Sequence, residues 1–149
     1  MTHPHLSQPE PDAVDPTGEP THDVVRLAVP ADSAYVAVLR TTTAAVAARL
    51  DFDLDEIDDL RIAVDEASAL LLPDAIPHST LDCTFRLESG SLNVEVSVPT
   101  AQGQLPPPTS FAWTVLNALA GEVEVDKRDA GADGCVVTIR LRKTRSRAM

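Results

Sequence analysis

Aromatic residues make up only 3% of the 149-residue chain, with a single Trp and a single Tyr, so a folded core has to be built from Val, Leu, Ile and Ala. Basic residues are scarce as well: 12 Lys and Arg stand against 23 Asp and Glu, a formal net charge of -11. A protein that grips a phosphate backbone needs the opposite balance, which argues against direct nucleic-acid binding. An acidic surface serves solubility or a basic partner instead. No apolar run approaches membrane-spanning length, and the N-terminus has neither a basic leader nor a hydrophobic stretch behind it. No membrane association is expected, and the cytoplasm is the expected compartment. Cysteine is rare: Cys83 and Cys135 each sit in an alternating apolar pattern and read as buried free thiols, which behave as small hydrophobes. Asparagine occurs only at Asn93 and Asn117, and no aspartate stands between Asp82 and Asp126.

Residues 1–22 hold Pro4, Pro9, Pro11, Pro16 and Pro20 among Glu10, Asp12, Asp15 and Glu19, with no Lys or Arg. Few apolar side chains are there to offset the entropy of ordering, so this stretch reads as a disordered acidic tail. His3, His5 and His22 lie in or beside it, and without a packed scaffold they make no metal site. Val24 to Val29 form a short β pattern closed by Pro30, which suits an edge strand. Asp32 can cap a helix reaching Leu50 whose apolar stripe is Val36, Leu39, Thr43, Val46 and Leu50; Arg40 stands beside that stripe.

The strongest helix signal runs from Asp53 to Leu72, where Ile57, Leu60, Val64, Ala67 and Leu71 recur at spacings of three and four. Asp53 and Glu56 have the spacing of a capping box, and Pro73 stops the ladder. Leu81, Cys83, Phe85 and Leu87 then alternate with polar residues, as do Leu92, Val94, Val96 and Val98, with Ser89-Gly90-Ser91 between them. That is an antiparallel hairpin with one wet face. Pro99 to Pro108 read as a loop, Thr109 or Ser110 as the cap of a third helix ending near Gly121, and Glu122–Asp126 with Cys135–Arg142 as a second strand pair. The order β-α-α-β-β-α-β-β predicts a two-layer α/β sandwich, an α+β arrangement with helices on one face of a mostly antiparallel mixed sheet. Domain limits follow as 23–143, with a short basic tail over 144–149 that reads as a fraying end.

The run Ile62-Ala63-Val64-Asp65-Glu66-Ala67 resembles the N-box helix of bacterial anti-sigma factors that double as serine-protein kinases, small members of the Bergerat (GHKL, histidine kinase-like) ATPase superfamily. Leu39 to Leu50 resembles that family's first long helix, and Ser110 to Lys143 its closing helix and strands, in the expected order and spacing. The resemblance implies the Bergerat fold, a sigma factor and a STAS-type anti-anti-sigma protein as partners, and a homodimer formed through the sheet side. It also implies that an arginine at the position of Arg40 contacts the sigma factor. The sequence departs from the family at the nucleotide boxes. Leu70 stands where an Asn would ligate Mg²⁺ through its amide oxygen. Gly103 is a solitary remnant of an Asp-x-Gly-x-Gly box, and Phe111-Ala112-Trp113 replaces a glycine-rich phosphate loop. Glu66 survives at the general-base position, a vestigial base without metal or phosphate ligands. The expectation is an anti-sigma factor with degraded kinase chemistry, with Trp113 packed into the emptied pocket and no cofactor. ATP with magnesium enters only under the alternative of an active kinase.

Overall fold

The computed structural model describes residues 23–146, so the acidic stretch 1–22 with its histidines and residues 147–149 lie outside the described residues. Five strands and three helices follow one another as β1 (Asp23–Pro30), α1 (Val36–Arg49), α2 (Leu54–Leu71), β2 (Thr80–Glu88), β3 (Ser91–Thr100), α3 (Phe111–Ala120), β4 (Glu122–Asp129) and β5 (Cys135–Thr144). The sheet order is β1-β2-β3-β5-β4, and every neighbouring pair is antiparallel, in keeping with the mostly antiparallel sheet expected from the sequence. The reason is the route of the chain: α3 carries it past β3 to the far edge, and the β4–β5 hairpin folds back so that β5 fills the gap.

The period-two pattern sorts the sheet into a dry and a wet face. Leu81, Cys83, Phe85 and Leu87 on β2, Leu92, Val94, Val96 and Val98 on β3, and Val137, Ile139 and Leu141 on β5 are buried. The opposite face carries a charge ladder in which Arg86 and Arg140 flank Glu95 at 3.8 and 3.2 Å and Arg142 meets Glu88 at 3.3 Å. Cys83 and Cys135 are both free, Cys83 fully buried and Cys135 half-buried; burial pushes the Cys83 thiol far up from its ordinary value. No helix among the described residues is long and apolar enough to cross a membrane.

α2 lies at the centre of the helix layer and packs on β3, β5, α1 and α3. Leu60, Val64, Ala67 and Leu71 of its stripe are buried, joined by Ala63, while Ile57 is partly buried. Burying each leucine is worth roughly 1.5–3 kcal/mol relative to leaving it in water. The capping box closes as the spacing predicts: Asp53 Oδ1 accepts from Glu56 N at 2.8 Å, and Glu56 Oε1 accepts from Asp53 N at 3.0 Å. At α1 the cap is offset. Asp32 accepts from Ala34 N at 2.8 Å over a short 3₁₀ turn, Ser33–Tyr35, and the α-helix begins only at Val36. Thr43 is tolerated in the buried stripe because its hydroxyl donates to Leu39 O at 2.7 Å. Neither candidate cap of α3 closes by a side chain: Ser110 occupies the N-cap position, but its Oγ is buried without a hydrogen-bond partner among the described residues.

The C-terminal end differs from a frayed tail. β5 runs to Thr144, two residues past the expected strand end at Arg142, and the next two residues are tied back. Arg145 N donates to Gly90 O at 2.7 Å and Arg145 Nη1 to Leu50 O at 3.0 Å, while Ser146 N donates to Glu56 Oε2 at 2.7 Å. One buried carboxylate, Glu56, therefore joins the start of α2 to the end of the described chain. Burial by itself would raise the Glu56 carboxyl, but N–H donation from Asp53 and Ser146, with Lys143 nearby, holds it below its ordinary value of 4.5. A carboxyl lowered in this way contributes stability that is present above the ordinary value and is lost as pH falls through the folded one. Glu56→Ala is expected to lower unfolding free energy by about 1–3 kcal/mol in urea titrations at neutral pH. The drop in stability of the parent chain below about pH 4 should be shallower in Glu56→Gln, measured by thermal melts across pH.

Candidate functional site

The two flanks of α2 differ in chemistry. On the flank facing α1, Arg40 Nε donates to Asp65 Oδ1 at 3.1 Å, an ion pair 25 residues apart in sequence that leaves both side chains partly exposed, 36% and 38%. Asp65 is thus the partner of Arg40 rather than a free surface charge. A pair this exposed adds little stability, on the order of 0–1 kcal/mol. Its effect is positional, because it holds the guanidinium against α2 instead of leaving it mobile. Around it α1 carries few charges, only Arg40 and Arg49, and Val38 is 42% exposed, while α2 adds Asp55 and the Asp58–Arg61 pair beside Ile62, which is 47% exposed one turn from Asp65. In a chain of net charge -11, α1 itself carries no acidic residue.

The other flank of α2 faces α3 and holds the remaining sequence candidates. Glu66 is half-buried, and Leu70, one turn further, packs against the core. Trp113 is only 9% exposed, and its indole N–H donates to Pro106 O at 2.9 Å. Phe111, at the first turn of α3, points the other way and is 79% exposed, so of the two bulky residues there only Trp113 enters the interior.

Between β3 and α3 the loop that contains Gly103 is closed upon itself. Ala101 N donates to Asp74 O at 3.0 Å, Gln102 N and Gln104 N both donate to Asp74 Oδ2 at 3.1 and 3.2 Å, and Gly103 N donates to Thr100 Oγ1 at 3.0 Å. Four successive backbone donors thus point at groups of the chain itself. Asp74 sits just after α2, in the 3₁₀ turn Leu72–Asp74, where Pro73 starts a tight reversal; sequence inspection passes over it because its partners lie 28 and 30 residues away. Thr100 completes the lock by donating to Cys135 O at 2.6 Å. Gly103 is buried with φ +69°, and a Cβ placed on it would sit 3.0 Å from Cys135 Sγ.

This donor set does not fit a magnesium nucleotide. Leu70 supplies no oxygen for a hard cation, the backbone N–H groups of the loop around Gly103 are engaged within the chain, and Asp74 beside them already accepts two backbone bonds. Gly103→Ala is expected to cost about 1–3 kcal/mol in chemical unfolding, from the left-handed backbone and the contact with Cys135. Adding Cys135→Ala should return the contact part of that loss and leave the backbone part.

Comparison with known proteins follows the same lines. No family-wide sequence profile matches the chain. A protein of Mycobacterium tuberculosis named anti-sigma-F factor RsbW is 36% identical over 124 residues, covering 82% of this chain and 74% of that protein. Serine-protein kinase RsbW of Bacillus subtilis is 47% identical over 57 residues, 38% of this chain and 33% of its own length. Among solved structures, a crystal structure of RsbU and RsbW domains from Mycobacterium tuberculosis superposes with a TM-score of 0.62 at 20% identity, over 86% of this chain. The chain spans 33% of that longer protein, and the likeness shows a shared fold, the histidine kinase-like sandwich. With an identity of 36% sustained over most of both sequences, the chain belongs to the RsbW family of anti-sigma factors and serine-protein kinases.

Proposed function

We propose that this chain is an anti-sigma factor that sequesters an alternative sigma factor of the stress or sporulation type, with kinase activity largely or wholly lost. The observation that carries the reading is the contrast between the two flanks of α2. One flank presents Arg40, held by Asp65, on a helix, α1, that carries no acidic residue; on the other, the groups that would meet a nucleotide are engaged by Asp74 and Thr100 or replaced by Leu70 and Trp113. Sequestration requires surface complementarity and mass action alone, so it survives loss of the nucleotide site. In this reading Trp113 takes the space of the ligand, Glu66 is a vestige, and no cofactor is required. A STAS-type anti-anti-sigma protein competes for the chain and releases the sigma factor. The working form is a cytoplasmic homodimer joined through the sheet side, with no direct contact to nucleic acid or membrane.

The alternative is an active Mg-ATP-dependent serine kinase of the anti-anti-sigma protein. It draws on the half-buried Glu66 at the general-base position and on relatives named serine-protein kinase. The two readings separate by melting temperature. A nucleotide at about 100 times its Kd would add roughly 2.7 kcal/mol and move the transition by several degrees. The expected shift with millimolar Mg-ATP is below about 1 °C, and a robust magnesium-dependent rise would favour the kinase.

Partner capture tests the primary reading. Purification of the chain from its native host, followed by mass spectrometry, is expected to recover one sigma factor. Arg40→Ala should reduce that recovery about tenfold or more while leaving the melting temperature nearly unchanged, as an exposed ion pair requires. Clean purification without any sigma factor contradicts the assignment.

A further inference from the structure

The two edges of the sheet are built differently, and the β4 edge is shaped to receive a strand of one particular chemistry. β4 is the outermost strand beyond β5, and no strand covers its outer side among the described residues. Every second residue of such a strand turns its N–H and C=O outward. On the helix-layer side, Val123 and Val125 lie in register with Leu141 and Ile139 of β5; Val123 packs against the core, but Val125 is 40% exposed. Together with Leu105, Pro106, Trp113 and Lys127 they border a groove of about 430 Å³ that runs along the strand.

On the open face, β4 presents Glu122 and Glu124. Their register partners on β5 are Arg142 and Arg140, yet both guanidinium groups lean inward, Arg142 to Glu88 at 3.3 Å and Arg140 to Glu95 at 3.2 Å. Arg140 reaches back only to Asp126, at 3.9 Å. Glu122 and Glu124 are left without an ion pair among the described residues, at the outer side of a cleft of about 220 Å³ whose other lining is Asn93, Leu141 and the inward-leaning Arg140 and Arg142. On its covered side, β4 is satisfied by a strand in which Ile139 and Leu141 alternate with Arg140 and Arg142. Its free side makes the same demand.

We propose that the β4 edge is a docking site for an extended peptide segment of a partner in which apolar and basic residues alternate. The segment adds a sixth strand, its apolar side chains entering the groove beside Val125 and Trp113 and its basic ones meeting Glu122 and Glu124. A second copy of this chain does not meet the requirement. Two-fold antiparallel pairing centred on Val125 sets Glu124 against Asp126, and centring on either of those residues sets a carboxylate against its own copy. This surface is separate from the α1–α2 face around Arg40 and does not depend on the reading given to it.

The only tryptophan of the chain lines the groove, so its emission reports binding directly. Two synthetic peptides serve as probes for the full chain: one with the sequence of residues 135–144 and Ser in place of Cys135, which alternates apolar and basic residues, and a copy with Glu at each basic position. The basic peptide is expected to give a saturable change in Trp113 emission and amide shifts along β4 by NMR. Binding should weaken about tenfold in Glu124→Lys and in Val125→Lys, whose melts confirm that they fold. The acidic peptide should give no response. Equal responses to both peptides, no response to either, or undiminished binding in Glu124→Lys would overturn the proposal. So would a concentration-dependent change in emission without peptide, since that would show the edge occupied by a second copy.

Discussion

The burial of α2's apolar stripe is the constraint on which the rest of the structure hangs. Leu60, Val64, Ala67 and Leu71 seat the helix on the middle of the sheet, where it touches β3 and β5 beneath and α1 and α3 on either side. Replacing a buried leucine of this kind by alanine typically costs 2–5 kcal/mol, so the rotation and depth of α2 are fixed far more firmly than any surface contact could fix them. Once that rotation is set, the side chains that do not face the sheet have no choice of direction. Asp65 must face α1, and Glu66 and Leu70 must lie toward α3. The capping box and the Ser146 contact with Glu56 then hold the start of the same helix in register with the end of β5.

From this one placement the two flanks acquire opposite fates. Toward α1, a polar residue meets an arginine and the pair stays at the surface, where a partner protein can reach it. Toward α3, the apolar Leu70 packs against the core, and Trp113 is buried on the facing helix. The loop between β3 and α3 completes the change, since its successive N–H groups are held by Asp74 and Thr100. A closed loop of this sort contributes to stability, whereas an open phosphate cradle leaves donors to solvent until a ligand arrives. The sandwich keeps its architecture while the backbone donors of this loop are satisfied within the chain.

Much of this was legible in the sequence because it rests on local periodicity. The three-and-four spacing of α2, the Asp53–Glu56 pair and the alternation on either side of Gly90 each describe structure within a few residues, and each appears where the pattern puts it. Arg40 and Leu70 stand out for a different reason, through likeness to a family. What could not be read was whatever depends on distant partners. Asp74 binds residues 28 and 30 positions away, Arg40 meets Asp65 across the helix pair, and Arg145 and Ser146 reach back to Leu50 and Glu56. None of these has a spacing signature. The strand order was hidden for the same reason, since inserting β5 between β3 and β4 changes no local pattern.

The claim at the centre is that the solvent side of α1 and α2 is the working surface and the α2–α3 interior is not. Amide hydrogen exchange on the full chain, with and without the sigma factor recovered from its host and with and without Mg-ATP, tests both halves at once. Protection confined to 36–49 and 54–71 on adding the sigma factor, with no change over 100–113 on adding nucleotide, is the predicted result. Slowed exchange over 100–113 with Mg-ATP, or a sigma factor that binds without protecting either helix, would contradict it.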